Sequence, residues 1–190
     1  MGRAGGRRRP LVIGGAVLGA VLLAVGLYWF QPWKLWQDQT VSEALPSAAA
    51  SASVPAPAAS GPKGATPPAA EPKTIAQGRL ISHEHTTTGT AKIVRLADGS
   101  HTLRLEGLDT SNGPDLRVWL TDAPVKEGTA GWRVFDDGKY VSLGKLKGNK
   151  GDQNYEIPAD VKLSEYSSVT IWCDRFDVSF GAAALTATAA

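Results

Sequence analysis

Cys173 carries the most versatile chemistry in this 190-residue chain, and it is the only cysteine. A lone thiol excludes an internal disulfide framework. It cannot cycle as a dithiol, so redox work would need a cofactor, a partner thiol or a sulfenic state. Cys173 alternates with Val169 and Ile171, so on a strand it shares their apolar face. Arg175 nearby favours a thiolate, whereas Asp174 and Asp177 oppose one. A free cysteine is also a common core residue. The residues alone leave packing and redox chemistry both open. Trp172 beside it is a candidate for contact with a bound group.

His83 and His85 form a His-x-His pair. On a strand both rings would share a face, a geometry suited to a metal or cofactor, but two ligands are too few without partners. Polar residues near a domain edge is the plainer reading. His101 shares parity with Leu103 and is expected to be half-buried. A blue-copper site needs two His, a Cys and a weak axial ligand, often Met. No His follows Cys173, and the only methionine is Met1. A haem held by Met and His fails for the same reason, while two-His ligation stays open. No metal site is assigned, and the sequence names no cofactor. No Ser-His-Asp order, phosphate loop or carboxylate pair stands out, so a classical enzyme is not expected.

These residues must be positioned by strands. Gly89 to Leu96 and His101 to Leu108 alternate about the turn pair Asp98-Gly99, which predicts a hairpin. Leu103 and Leu105 share one face, with Arg104 and Glu106 on the other. Leu116 to Leu120 follows the breaker Asn112-Gly113-Pro114-Asp115, with Leu116, Val118 and Leu120 on one side. Trp132 to Phe135, Tyr140 to Leu143, Tyr155 to Ile157 and Val169 to Cys173 read as further strands. The last runs from Phe176 to Phe180 with Phe176, Val178 and Phe180 inward. Gly151 to Tyr155 reads as a turn and strand entry. So many short strands predict an all-β domain over 74–186, a β-sandwich or closed barrel, with 187–190 as a tail.

Leu11 to Phe30 is an uncharged, mainly apolar run that as a helix is roughly 30 Å long and matches a bilayer core. Arg7, Arg8 and Arg9 precede it, and the positive-inside rule makes residues 1–10 a cytoplasmic tip. Tyr28, Trp29, Trp33 and Trp36 suit the opposite headgroup zone. A cleaved signal peptide fits less well, because bulky residues follow where a small-residue cleavage site belongs. The expectation is a single pass through the cell membrane, with the β-domain extracytoplasmic. Residues 31–73 are expected to be a membrane-proximal segment and a linker. Its Ala/Pro/Ser-rich part, from Ser42, buries too little to order and would act as a stalk holding the domain several tens of ångströms away.

The formal charge is +2, but the arginine tip accounts for it, and acids and bases nearly balance from Lys73 onward. That gives no electrostatic case for nucleic-acid binding, which needs a basic patch, and none is expected. Four stretches together resemble the DM-thirteen domain family, an electron-transfer domain related to the DOMON β-sandwiches. They are HTTTGTAKI at 85–93, LRLEGLDTSNGPDLRVWL at 103–120, LGKLKGNKGDQNYEIP at 143–158 and YSSVTIWCDRFDVSFGAAAL at 166–185. The resemblance implies a sandwich fold and a redox role in which the family's cysteine falls on Cys173. The expected function is a membrane-tethered electron-transfer domain with an unidentified redox or protein partner. The alternative is a non-catalytic sandwich that binds a cell-envelope component or a protein.

Overall fold

The computed structural model describes residues 8–33, 37–46 and 71–188. Most of the expected cytoplasmic tip, and 47–70 of the expected stalk, lie outside these residues.

The apolar run forms helix α1, Arg8–Phe30. From Val12 to Phe30 it is long and apolar enough to cross a membrane, and none of it is buried in the protein. Its end is local chemistry. Gln31 takes a positive φ of 44° and donates its N–H to Leu27 O at 2.9 Å, and Pro32 cannot continue the helix.

The rest is mostly β, in two sheets. In chain order the strands are β1 (Thr40–Ser42), β2 (Lys73–Arg79), β3 (Ile81–Ser82), β4 (Thr88–Arg95), β5 (His101–Asp109) and β6 (Leu116–Thr121). β7 (Tyr140–Lys145), β8 (Lys150–Ile157), β9 (Ser168–Cys173), β10 (Val178–Ala184) and β11 (Thr186–Ala187) follow. One sheet has the order β1-β8-β5-β4-β2-β11, the other β3-β10-β9-β6-β7. Between them lies a core that includes Ile93, Leu103, Leu105, Val118, Leu120, Ile171 and Phe180. In β5 the inward series runs Leu103, Leu105, Leu108. A bulge at Gly107, with φ 56°, absorbs the change of parity.

The sandwich, the β4–β5 hairpin and the inward side of β6 agree with the sequence reading. Three local expectations fail. Trp132 to Phe135 is not a strand. It belongs to the long β6–β7 connection, which turns through a short 3-10 segment at Gly128–Gly131 and buries Phe135 against the outer side of β9. Phe176 does not face inward. It sits in the β9–β10 turn, and β10 starts only at Val178, after Asp177 reverses the chain at φ 48°. Gly151 to Tyr155 is not a turn but most of β8.

The largest difference concerns the expected spacer. Residues 38–44 are pinned along β8. β1 pairs with it in parallel, Thr40 opposite Lys150 and Ser42 opposite Asp152. Gln39 donates its N–H to Asn149 Oδ1 at 2.7 Å, and Asn149 Nδ2 donates to Asp38 Oδ1 at 2.8 Å. Glu43 pairs with Lys147 at 2.8 Å and accepts the Asn154 N–H. Arg104, nearly buried on the outer face of β5, donates to Glu43 O, Asn154 Oδ1, Asp152 Oδ2 and Glu106 Oε1, each within 3.0 Å. Gly148 and Gly151 leave the room, because a Cβ at either would collide with Gln39 or Val41. β1 therefore covers the edge that β8 would otherwise expose.

A fragment of residues 37–188 should be more stable to urea than one of residues 71–188. Losing β1 strips Arg104 and Asn154 of partners, a cost of about 2 kcal/mol. Equal urea midpoints would show that β1 contributes nothing to the sandwich.

Candidate functional site

Cys173 ends β9, between Leu116 of β6 and Val178 of β10. The alternation of β9 turns Val169, Ile171 and Cys173 into the core between the sheets, and the thiol is fully buried. Burial pushes its pKa up. Backbone hydrogen bonds from Arg175, Phe176 and Asp115 pull the other way, and Glu84 adds to the rise. The thiol is therefore held protonated at neutral pH. It is not placed as a standing nucleophile.

Trp172 points the opposite way, as strand alternation requires. It lies in a second buried cluster with Trp119, Phe135 and Ala182, beneath the β6–β7 connection. Trp172 stacks with Trp119 at 5.1 Å between ring centroids, and Trp119 with Tyr140 at 4.1 Å. Tyr140 is 46% exposed, so the three rings run from the surface to the residue next to Cys173. This stack was not anticipated. Its only sequence signal is that Trp119 and Trp172 fall on the strand parity opposite Val118 and Cys173.

The histidines do not come together. His83 and His85 lie in the bend after the two-residue β3, not within a strand. His83 is buried against Phe135 and both its ring nitrogens are occupied. Nδ1 is 2.7 Å from Ser179 Oγ, and Nε2 is 3.0 Å from Lys126 O. A carbonyl only accepts, so Nε2 carries the proton and Nδ1 accepts from the serine. His85 is half-buried and packs on Phe180, 3.9 Å between centroids. His101 is half-buried at the start of β5, paired with Arg95 and Ile157, at the opposite end of the sandwich from Cys173. Among the described residues no three His, Cys, Asp or Glu side chains are grouped to hold a metal ion.

The end of the sandwich that holds Cys173 meets the end of α1. Arg175 donates to Trp29 O, one of the carbonyls that a helix end leaves unpaired, and its guanidinium lies 4.8 Å from the Trp29 ring. Phe176 stacks on Phe30 at 6.0 Å. Cys173 O accepts the Phe176 N–H, so one turn joins the buried thiol to the helix contact.

His83 generates a pH prediction. Burial holds its pKa below the ordinary 6.5, although the Lys126 carbonyl opposes this. Below about pH 6.5 the unfolded chain binds a proton that the folded chain resists, so stability falls as pH drops through that window. The lowered pKa values of Glu43 and Glu106 act only below the ordinary glutamate value of 4.5. His83→Gln, which can reproduce both hydrogen bonds, should flatten the slope between pH 6.5 and 5. It should cost about 1 kcal/mol at pH 7.5. Urea melts across pH check this, and an unchanged slope would assign the window to another group.

No curated protein and no solved structure matches the chain. A family model described as electron transfer DM13 matches residues 79–185, more than half of the sequence. The match takes in β3 to β10, both buried clusters and Cys173, and leaves α1 and β1 outside. The chain belongs to the DM13 electron-transfer family.

Proposed function

We propose that the chain is a membrane-tethered electron-transfer module, with its sandwich outside the cytoplasm and Cys173 as its redox-active group. The family match carries this reading, because it assigns electron transfer to the domain that encloses the thiol. The arginines before α1 support the orientation, by the positive-inside rule. The tether is α1 itself, and the redox partner is unidentified.

Burial shapes the chemistry. A protonated, enclosed thiol reacts slowly with oxidants in bulk water and is protected from over-oxidation. Opening of the Asp174–Asp177 turn would expose it. With peroxide the thiol then becomes a sulfenic acid: one S–O bond forms, the O–O bond breaks and water leaves. A partner thiol attacks the sulfenic sulfur, so that an S–S bond forms, the S–O bond breaks and water leaves. A second thiol on that partner then attacks this mixed disulfide, freeing the Cys173 thiol and leaving the partner as an internal disulfide. The same burial favours a second reading, in which Cys173 is a packing residue and the sandwich is a binding module.

Two measurements on the folded full-length chain separate the readings. Under the redox reading, the thiol is lost to peroxide and recovered with a dithiol while the fold persists. Cys173→Ala should then keep the fold, with destabilisation of about 1–2 kcal/mol, and lose the redox response. A thiol that reacts only in step with global unfolding would leave the binding module standing.

A further inference from the structure

We propose that the end of the sandwich bearing the Asp174–Asp177 turn rests on the lipid headgroup layer, with Phe176 entering the acyl boundary. This rests on the reading that α1 crosses the bilayer. If α1 spans, its last turn fixes a depth. Tyr28, Trp29 and Phe30 are all exposed and form the aromatic belt expected at a membrane–water interface. Phe176 stacks on Phe30, so it lies at the same depth. Its ring is also exposed, against the tendency of a large apolar group in water.

The surroundings suit lipid. Arg133 bonds at the turn that carries Phe176, and Arg175 at the helix end beside it. Arg133 donates to Phe176 O at 3.0 Å and to Asp177 O at 3.1 Å, while Arg175 reaches Trp29. An exposed apolar ring on a turn bonded by two arginines matches an acyl boundary beneath phosphates. The acids at this end do not cancel that pattern. Asp174 is paired with Arg117 at 2.9 Å, while Asp177 in the turn and Glu84 at the cleft are matched in number by Arg133 and Arg175. Between the helix end and the sandwich lies a cavity of about 260 Å³, lined mainly by apolar groups including Phe30, Pro32, Pro114, Phe176 and Phe180. Facing water, such a cleft would be costly. At a bilayer surface acyl chains border it.

Chain length enforces the arrangement. Phe30 ends α1, and Asp38 is already bonded to Asn149. That interval reaches at most roughly 30 Å when fully extended, so the sandwich cannot stand far from the membrane.

The test uses the full chain in phosphatidylcholine bilayers, in a Cys173→Ala background whose melt confirms folding. An environment-sensitive fluorophore is attached at Leu18→Cys, Phe176→Cys, Arg133→Cys or Lys162→Cys. Nitroxide-labelled lipids at shallow and deep positions act as quenchers. Lys162 is 78% exposed, in the β8–β9 connection at the far end of the sandwich, and reports water. Leu18 should be quenched by deep nitroxides. Phe176 should be quenched by shallow nitroxides at least threefold more than Lys162, and Arg133 should follow it if Phe176→Cys perturbs the turn. Quenching at Leu18 with Phe176 and Arg133 both at the Lys162 level would overturn the docked face and leave the tether intact. Absence of quenching at Leu18 would remove the tether and the docked face together.

Discussion

The short passage from Phe30 to the residues bonded along β8 governs how this protein is built. Its far end is held by Arg104. That guanidinium sits almost buried on the outer side of β5 and needs acceptors, which Glu43 O, Asp152, Asn154 and Glu106 supply. The half-exposed pair of Glu43 with Lys147 adds little by itself, since such pairs contribute about 0–1 kcal/mol. Arg104 gains one acceptor here, Glu43 O, and the rest of the hold comes from the pairing of β1 with β8 and from bonds to Asn149 and Asn154. One strand thus does three things. It satisfies Arg104, closes the edge of β8 and ties the sandwich to α1.

The other sheet is organised around β9, every residue of which is buried. A sandwich strand ordinarily shows one face to water. Here the β6–β7 connection folds over the outer face, with Phe135 as its plug and the His83–Lys126 hydrogen bond as its clasp. Gly131 permits this closeness, since a Cβ there would strike both Lys126 and His83. Cys173 and Trp172 consequently occupy two separate interiors, one between the sheets and one beneath the connection. The turn that follows the thiol, bonded to its carbonyl through Phe176, is the one that touches α1.

Sequence periodicity revealed the strands wherever one face is apolar and the other polar, as in β5 and β6. It missed elements that satisfy other demands. β1 is three residues long and gains its place from Gly148, Gly151 and Arg104, all more than 60 positions away. Phe135 is apolar because it plugs a surface, not because it alternates in a strand. Phe176 fits an alternating series with Val178 and Phe180, but Asp177 turns the chain between them. The buried position of Cys173 was legible from Val169 and Ile171. The separation of His83 from His85 was not, because the bend that parts them is set by contacts with Ser179 and Phe180.

The Ala/Pro-rich stretch takes on a different meaning once its ends are located. β8 runs from the Cys173 end of the sandwich toward the far end, and parallel β1 runs with it. Pro46 lies at the far end, beside Leu96, Ser100 and His101. Lys73 starts β2 opposite Arg95, also at the far end. The stretch therefore leaves and re-enters the domain at the same pole. The gap spans the sheet from β1 to β2, four strand spacings or roughly 19 Å, which about six extended residues would bridge. A spacer between helix and domain would have to lie between Phe30 and Asp38. Because the stretch from 47 to 70 follows β1, its length cannot lift the sandwich from the bilayer while β1 stays paired. Its composition, rich in proline and poor in large apolar groups, suits a segment that need not pack on the domain that carries it. In a tethered module whose Cys173 end meets the membrane, both ends of the long connection, Pro46 and Lys73, are at the pole facing away from it.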